Sequence, residues 1–226
     1  MRNYLRIGTK TVIILAIITF SVIMFMISLP YFSMERNADI PFLKTKLNVY
    51  HISYWRTGFY IHVFTSVLVL IAGATQFSST ILSRFPGTHK VMGYIYIIVL
   101  LFFSGPGGFV MGIHANGGPP AQMSFMMLTP LWIIFTAMAW YYVIKKDYLA
   151  HGEFLLRSYA LTFSAITLRL YLLVINHYHF GWKPVDKYII VSWMSWVPNL
   201  ILAEILIRRG IIKNLLKRRA ELKNKN

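Results

Sequence analysis

The chain has 226 residues, of which 57% are hydrophobic and 13% are charged, about half the charged fraction of an ordinary soluble domain. This composition predicts a membrane protein, and the formal charge of +16 then reflects membrane topology and anionic lipid rather than nucleic-acid binding, because the basic residues flank apolar runs. The absence of cysteine excludes disulfides, iron–sulfur clusters, zinc–thiolate sites and thiol nucleophiles.

Six apolar segments are long enough to cross a bilayer, which takes about 20 residues. They cover residues 11–29, 57–80, 91–112, 122–144, 152–175 and 187–207. We predict an all-α integral membrane protein, a single domain over residues 1–226, in which spans two to five form a four-helix core. Spans one and six lie beside that core. The first segment has no small-x-small cleavage site, so we interpret it as an uncleaved span rather than a signal peptide.

The distribution of lysine and arginine predicts the orientation. Fifteen of these residues lie on the side that carries the N-terminus and the C-terminal tail, and six lie on the other side. The positive-inside rule then places both termini in the cytoplasm, and we expect a bacterial plasma membrane. The tail, residues 208–226, is basic and carries Ile211, Ile212, Leu215 and Leu216 at helical spacing. We predict an amphipathic helix that lies on the anionic inner leaflet.

Span two carries its polar residues on one face. His62, Ser66, Val69, Gly73 and Gln76 recur at steps of three and four residues, so we expect this stripe to face the interior of the bundle. His62 is a polar group inside an apolar span and is therefore predicted to have a functional or networked role.

The outer end of span three is rich in small residues and prolines, in the stretch SGPGGFVMGIHANGGPP. Ser104, Gly108 and Gly112 recur every four residues, which lets another helix approach closely. Pro106 and the Gly-Gly-Pro-Pro run predict irregular backbone at this end, and such backbone must pack against protein or line a wet cavity. Tight packing with a turn and an outer vestibule both fit the pattern.

Span five contains two arginines, Arg157 and Arg169, which lie roughly 18 Å apart along a helix axis. A charge inside a span is costly unless it is paired or hydrated, so both are candidate functional residues. Glu204 is near the inner end of span six and is the predicted ion-pair partner of Arg157. Arg169 has no carboxylate at its depth. We expect it to reach the outer surface, to donate to Asn176 and backbone carbonyls, or to bind an anion.

His89 and His151 each begin an apolar span at the inner side of the membrane. The dipole at a helix N-terminus favours the neutral, ligating form of imidazole. Two histidines at equivalent places in two helical hairpins are what bis-imidazole ligation of a b-type haem requires, with arginines on the propionates. We predict His89 and His151 as axial ligands, His62 as an outer ligand or proton-handling group, and Arg157 and Arg169 as propionate or anion clamps.

Three functional hypotheses follow from these residues. The first is a membrane redox protein that binds b-type haem and exchanges electrons with a quinone. The second is a small permease or membrane-assembly factor without a cofactor, in which a polar network that includes Gln76, Asn199 and Glu204 lines a cavity for protons or a small anion. The third is purely structural, with binding to protein partners. The absence of a His-Glu-x-x-His motif argues against a zinc hydrolase.

A family resemblance is carried by four segments: WRTGFYIHVFTSVLVLIAGATQF, FPGTHKVMGYIYI, HGEFLLRSYALTFSAITLRL and WMSWVPNLILAE. They resemble the recurring segments of an uncharacterised family of predicted bacterial membrane proteins, domain-of-unknown-function family 2306. The chain departs from the family pattern at Lys90, where arginine is common, and at Leu155 and Leu156, where a Trp-Met pair is common. The resemblance implies a multi-span membrane protein with no established activity. The positions that match are His62, Gln76, His89, Gly93, Tyr96, His151, Arg157, Arg169, Asn199 and Glu204.

Overall fold

The structure is a computed structural model that describes residues 19–33, 40–178 and 181–223. Its regular elements in these ranges are all helices, which confirms the all-α fold there. Five are long and apolar enough to cross a membrane: Ser53–Gln76, Pro86–Ile113, Gly118–Ile144, Tyr148–His177 and Pro184–Arg208. The predicted first span lies partly outside the described residues, and its described part is the shorter apolar helix Thr19–Phe32. The count of six spans and the orientation of the termini stay predictions.

The helices are numbered in chain order. They are α1 (Thr19–Phe32), α2 (Pro41–Lys44), α3 (Ser53–Gln76), α4 (Ser79–Arg84), α5 (Pro86–Val99), α6 (Gly105–Ile113), α7 (Gly118–Ile144), α8 (Tyr148–Thr162), α9 (Ser164–His177), α10 (Pro184–Met194), α11 (Val197–Arg208) and α12 (Ile211–Lys223). Span two is α3, span three is α5 with α6, span four is α7, span five is α8 with α9, and span six is α10 with α11. The inner end is defined as the end of the bundle that carries α12, and the outer end is the opposite one.

Side-chain caps set two helix boundaries at the inner end. Span two begins and ends four residues earlier than predicted, and the chain after it forms the separate helix α4. Ser78 caps α4 by accepting a hydrogen bond from the Ile81 amide at 3.3 Å. Asp147 caps α8 by accepting one from the Ala150 amide at 3.0 Å. Each cap satisfies an amide that the first turn of a helix leaves without a backbone partner.

Spans two to five form the core of the bundle. α3 packs along α5 and α6, α7 packs along α6 and α8, and span six lies against α7, α8 and α9. Gly73 is essential to the contact between α3 and its neighbours, because a Cβ atom there would stand 2.4 Å from the ring of Tyr159. The predicted interior stripe of span two is confirmed at Val69, Gly73 and Gln76, which are all buried.

Three spans are interrupted near their middle. Span three has a π-helical turn at Leu100–Ser104, span five breaks at Phe163, and span six breaks at Ser195 and Trp196. The break in span six lies just ahead of Pro198, whereas α7 continues through Pro130. The irregular backbone predicted at the outer end of span three is present at Gly117 and Gly118, which have positive φ, whereas the residues after the π-helical turn, Gly105–Ile113, form the regular helix α6 despite Pro106.

The carbonyl groups at these interruptions accept hydrogen bonds from side chains. The Ser104 carbonyl accepts from His62 Nδ1 at 2.8 Å. The Ser195 carbonyl accepts from Thr167 Oγ1 at 2.5 Å and from Asn199 Nδ2 at 2.9 Å. Interrupted helices are tolerated at membrane depth when neighbouring groups satisfy the freed backbone in this way. The networked role predicted for His62 is confirmed, and Asn199 has the same structural role in span six.

The basic tail forms α12, which confirms the predicted helix. It follows Gly210, whose φ of 70° is the left-handed conformation that glycine adopts readily. α12 packs against α4 and α8, and Ile212 is buried against Gly152, where a Cβ atom would stand 2.5 Å from Ile212 Cγ2. Part of the apolar face predicted to enter lipid therefore packs on the protein. The contact of the tail with anionic lipid stays a prediction.

A set of hydrogen bonds ties the outer loops together. Lys46 is 3% exposed, and its ammonium donates to the backbone carbonyl of His114. The Tyr54 hydroxyl lies 2.8 Å from His114 Nε2, and Asn116 Nδ2 donates to Thr45 Oγ1 at 2.9 Å. Burial lowers the pKa of Lys46 to about 8. This end of span three is held against protein, which supports the tight-packing interpretation over an outer vestibule.

Candidate functional site

Arg157 and Glu204 form the predicted ion pair. Arg157 Nε lies 2.5 Å from Glu204 Oε1, and Nη2 lies 3.0 Å from Oε2. The guanidinium also stacks over Phe154, with Cζ 5.0 Å from the ring centroid. Because this bidentate geometry occupies both oxygens of the carboxylate and one edge of the guanidinium, the pair satisfies itself. Glu204 thus occupies the Nε and Nη2 edge of Arg157, and the propionate-clamp role of Arg157 stays a prediction.

Five side chains from spans three, four and five meet in the centre of the bundle, and we call them the central hydroxyl ring. Trp132 Nε1 donates to Thr162 Oγ1 at 3.0 Å, and Thr162 Oγ1 lies 3.0 Å from the Tyr96 hydroxyl. The Tyr96 hydroxyl is 2.6 Å from Ser158 Oγ, which is 2.6 Å from Thr136 Oγ1. Thr136 Oγ1 donates to the Trp132 carbonyl at 2.8 Å. All five residues are buried.

Only one assignment gives each of these five contacts a single proton, and it leaves unused the longer contact of Thr162 Oγ1 with the Ser158 carbonyl at 3.2 Å. Each hydroxyl has one hydrogen to donate, and the Thr136 hydrogen goes to the Trp132 carbonyl. Ser158 must then donate to Thr136, and Tyr96 must donate to Ser158. Thr162 therefore donates to Tyr96 and accepts from the Trp132 N–H. The chain of donors begins and ends on Trp132, so in this assignment it has no spare donor for a ligand.

His89 and His151 lie on the inner side of this ring, and we call them the inner histidine pair. His89 precedes Tyr96 by seven residues and His151 precedes Ser158 by seven, which is two helical turns or roughly 10 Å in each helix. Because Tyr96 and Ser158 are hydrogen bonded, both histidines lie at one level beneath that contact. They are close enough to interact electrostatically. Both are in the first turns of their helices, as predicted.

The hydrogen bonds of two histidines fix which ring nitrogen carries the proton. His151 Nδ1 is 2.8 Å from the Ala139 carbonyl, and His62 Nδ1 is 2.8 Å from the Ser104 carbonyl. A carbonyl oxygen can only accept, so Nδ1 is the donor in both, and in a neutral ring Nε2 then carries the lone pair. Ala139 lies on α7, so the Nε2 corner of His151 is turned away from that helix. His89 Nδ1 is buried and has no hydrogen-bond partner among the described residues.

The surroundings of the inner histidine pair come from α3, from α12 and from the residue that follows His89 on α5. Gln76 at the end of α3 is 4% exposed, and its Nε2 donates to the His89 carbonyl at 3.3 Å. Arg219 on α12 is close enough to His89 to interact electrostatically. Lys90 follows His89 directly, and its ammonium lies 6.0 Å from the centroid of the Tyr94 ring. The tail helix, which was predicted from the sequence to lie only on a lipid surface, thus brings a cation to the inner histidine pair.

Arg169 lies in the outer half of span five, far from the inner histidine pair. It follows His151 by eighteen residues, which corresponds to roughly 27 Å of helix, so it cannot clamp a haem held by that pair. The helix of span five is interrupted at Phe163, between Ser158 and Thr162 on one side and Arg169 on the other. Ser158 and Thr162 are buried, whereas Arg169 is exposed.

The polar residues predicted to form one network lie in separate groups. Gln76 contacts His89, Asn199 contacts the span-six interruption, and Glu204 contacts Arg157. The part of the chain that the structure describes contains no group of three or more His, Cys, Asp or Glu side chains that could hold a metal ion. A metal centre built from protein ligands alone therefore has no support in those ranges.

Sequence reasoning missed the central hydroxyl ring as a unit and the burial of Lys46. Trp132 and Thr136 lie in an apolar span where neither residue type stands out. A regularity that would have revealed part of the ring was present, since Tyr96 and Ser158 each follow an inner histidine by seven residues. No comparable pattern predicted that Lys46 would be covered by distant parts of the chain.

The sequence matches the family described as predicted membrane protein (DUF2306) over residues 59–207, which is well over half of the chain. Comparison with curated proteins and with solved structures finds no match. The matched range contains the central hydroxyl ring, the inner histidine pair and the ion pair of Arg157 with Glu204. The chain therefore belongs to the DUF2306 family of predicted membrane proteins, as the resemblance of its four sequence segments implied.

Proposed function

We propose that the protein is a membrane redox protein that holds a b-type haem between His89 and His151 at the inner end of the bundle. The observation that carries this proposal is the inner histidine pair itself: two imidazoles at one level, on different helices, within electrostatic reach. One of them, His151, is held so that Nε2 has a free lone pair. That is the donor set of bis-imidazole haem ligation.

The small number of protein ligands favours haem over a bare metal ion. A porphyrin supplies four nitrogen ligands to its iron, so two axial histidines complete the coordination. A bare zinc ion in a structural or catalytic site takes three or four ligands from the protein, and the described residues offer no such group. Nδ1 of His89 is buried and has no partner among the described residues, which is a second indication, because a ligand that reorients this ring would relieve that cost.

Residues around the pair have separate parts in this proposal. The Ala139 carbonyl accepts from His151 Nδ1, which fixes the orientation of the ring and raises its basicity as a ligand. Arg219 and Lys90 replace the two arginines of span five as the cations available to propionates. Haem, when bound, supplies one-electron chemistry. We propose a quinone as the electron partner, and a bacterial plasma membrane with both termini cytoplasmic as the location, on the lysine and arginine distribution.

An absorption spectrum tests this function. The protein purified from haem-replete cells should have a Soret band and an α band on reduction with dithionite. Both bands should be lost in His89→Ala and in His151→Ala and kept in His114→Ala, which removes an outer histidine bonded to Tyr54. Gel filtration and far-UV circular dichroism should confirm that all four proteins are folded. A colourless wild-type preparation would refute the proposal.

A permease is the second candidate, favoured by the interruptions in three spans. Discontinuous helices at the middle of the membrane frame the binding sites of many transporters. The central hydroxyl ring argues against an open path, because its five groups satisfy one another. Proteoliposomes with an entrapped pH dye separate the two functions. A colourless protein that speeds proton entry, and loses this activity in His62→Ala, would favour the permease.

A further inference from the structure

A polar cluster at the outer end remains unexplained by the haem proposal. Arg169 on α9 is close enough to interact electrostatically with Tyr31, Tyr188 and His62. These four residues, which we call the outer arginine cluster, come from α9, α1, α10 and α3. Arg169 precedes the end of α9 by eight residues and His62 follows the start of α3 by nine, so both lie roughly 12 to 14 Å inside the outer end.

The guanidinium of Arg169 has unused donors. Its Nη1 donates to the Ala165 carbonyl at 2.7 Å, and an arginine has five N–H donors. The residues described in 19–33, 40–178 and 181–223 provide no carboxylate in ion-pair contact with it. Asn176, the predicted acceptor, instead accepts from Lys187 at 3.4 Å. A guanidinium at this depth without a counter-ion is costly, so its position calls for an anion.

The other members of the cluster define what kind of anion fits. Tyr31 and Tyr188 offer hydroxyl donors to an ionised oxygen. His62 has Nδ1 bound to the Ser104 carbonyl, so its Nε2 accepts a hydrogen bond and matches a protonated oxygen. One ligand with both features is a phosphate monoester or hydrogen phosphate, which carries ionised oxygens and an O–H. Arginine binds such a group through two parallel N–H donors.

Access to the cluster is from the outer end of spans five and six. Arg169 is exposed on the flank of the bundle, two helical turns below Asn176. Lys187, the residue before Tyr188, adds a second positive charge at the rim. Positive groups along one approach attract an anion towards the cluster.

We propose that Arg169, Tyr31, Tyr188 and His62 form a binding site for a phosphate oxyanion in the outer half of the bundle. The site does not depend on the haem proposal, because it lies on the other side of the central hydroxyl ring. The phosphate comes either from a lipid headgroup of the phosphatidic acid type or from free phosphate. Both sources present the same oxygens to the cluster, and the experiment separates them.

Binding is measured on the full-length protein in nanodiscs. Radiolabelled inorganic phosphate is added in one arm, and phosphatidic acid replaces part of the phosphatidylcholine in the other, with bound lipid counted by native mass spectrometry. Arg169→Gln should weaken binding by about tenfold or more, because it removes a charge-assisted bidentate contact. Tyr31→Phe with Tyr188→Phe should weaken it about threefold to tenfold, since only hydroxyl donors are lost.

Matched variants keep the test decisive. Arg56→Gln removes the same charge from an exposed site at the same end and should leave binding unchanged. Arg169→Lys keeps the charge and loses the planar fork, so intermediate binding is expected if the first variant fails to fold. Binding in the lipid arm alone identifies a headgroup, and binding in both arms identifies phosphate in general.

Three outcomes would overturn the proposal: no binding in either arm, equal binding by wild type and Arg169→Gln, or a protein carboxylate as the counter-ion. The last is tested with Glu35→Gln and Asp39→Asn, two acidic residues outside the described ranges. Strong coupling between either variant and Arg169→Gln in a double-mutant stability cycle would assign the counter-ion to the protein.

Discussion

The central hydroxyl ring predicts a large stability cost for Thr162→Val. This substitution keeps the shape of the side chain and replaces Oγ1 with a methyl group. Thr162 Oγ1 accepts from Trp132 Nε1 at 3.0 Å and contacts the Tyr96 hydroxyl at 3.0 Å, so both contacts are lost. The Trp132 N–H, buried at 7% exposure, loses its acceptor at 3.0 Å and keeps only its weaker interaction with the Tyr96 hydroxyl.

The expected cost is about 1.5 to 3.5 kcal/mol. An interhelical side-chain hydrogen bond in a membrane protein contributes about 0.6 kcal/mol on average, which is the share of the Tyr96 contact. A buried donor left without any acceptor costs about 1 to 3 kcal/mol, which is the upper bound for Trp132 because the Tyr96 hydroxyl remains near its N–H. By contrast, Ser158→Ala should cost less, because Tyr96 can donate to Thr162 while Thr162 donates to the Ser158 carbonyl at 3.2 Å.

Reversible unfolding in mixed micelles, with increasing fractions of sodium dodecyl sulfate, measures these costs. The control is Thr80→Val at an exposed position of α4, where we expect a change within about 0.5 kcal/mol. The reasoning would be refuted if Thr162→Val were no more destabilising than Thr80→Val. It would also be refuted if Trp132→Phe and Thr162→Val were fully additive, because residues joined by a hydrogen bond should couple.

Three further predictions concern the ends of the bundle. Arg157→Gln and Glu204→Gln should each destabilise by about 1 kcal/mol, a value reduced for the partial exposure of the carboxylate, and the double variant should be more stable than the sum implies in the same unfolding assay. Burial lowers the pKa of Lys46 from 10.5 to about 8, so between pH 8 and 10.5 the unfolded chain keeps the Lys46 proton and the folded chain loses it. Thermal stability should therefore rise from pH 8 towards 10.5, and Lys46→Met should abolish the rise. Gly152→Ala should displace α12 and speed its cleavage by trypsin, whereas Gly87→Ala, where a Cβ meets no atom within 4 Å, should leave cleavage unchanged; equal rates would contradict the docking of the tail.

The candidate site was predictable in part, and the parts differ in their physical basis. The pairing of Arg157 with Glu204 followed from depth, since each charge lies near the inner end of adjacent spans and few other partners exist there. The inner histidine pair was predictable because both histidines lie at the starts of apolar spans at the inner end. The exposure of Arg169 was less predictable, because a periodic pattern assumes an uninterrupted helix and this helix breaks at Phe163.

The sequence could not predict which side chains are hydrogen bonded to each other inside the bundle. The five members of the central hydroxyl ring come from three spans, and their meeting depends on crossing angles and on the room that Gly73 leaves for Tyr159. Neither the crossing angles nor the space beside Gly73 can be derived from the spacing of polar and apolar residues along a single helix. The docking of α12 on the bundle could not be predicted either, because an amphipathic helix has the same apolar face whether lipid or protein covers it.

The sequence by itself determined that the chain is helical and built for a membrane, because long apolar runs must satisfy their backbone internally in lipid. It also determined where charges would be costly, and hence that Arg157, Arg169 and His62 needed partners. Only the tertiary structure decided who those partners are. In the structure Glu204 pairs with Arg157, and the Ser104 carbonyl accepts a hydrogen bond from His62. Arg169 lies near two tyrosines and has no carboxylate partner among the described residues. Partner choice depends on which helices pack together and in what rotation, and that information exists only once the bundle has formed.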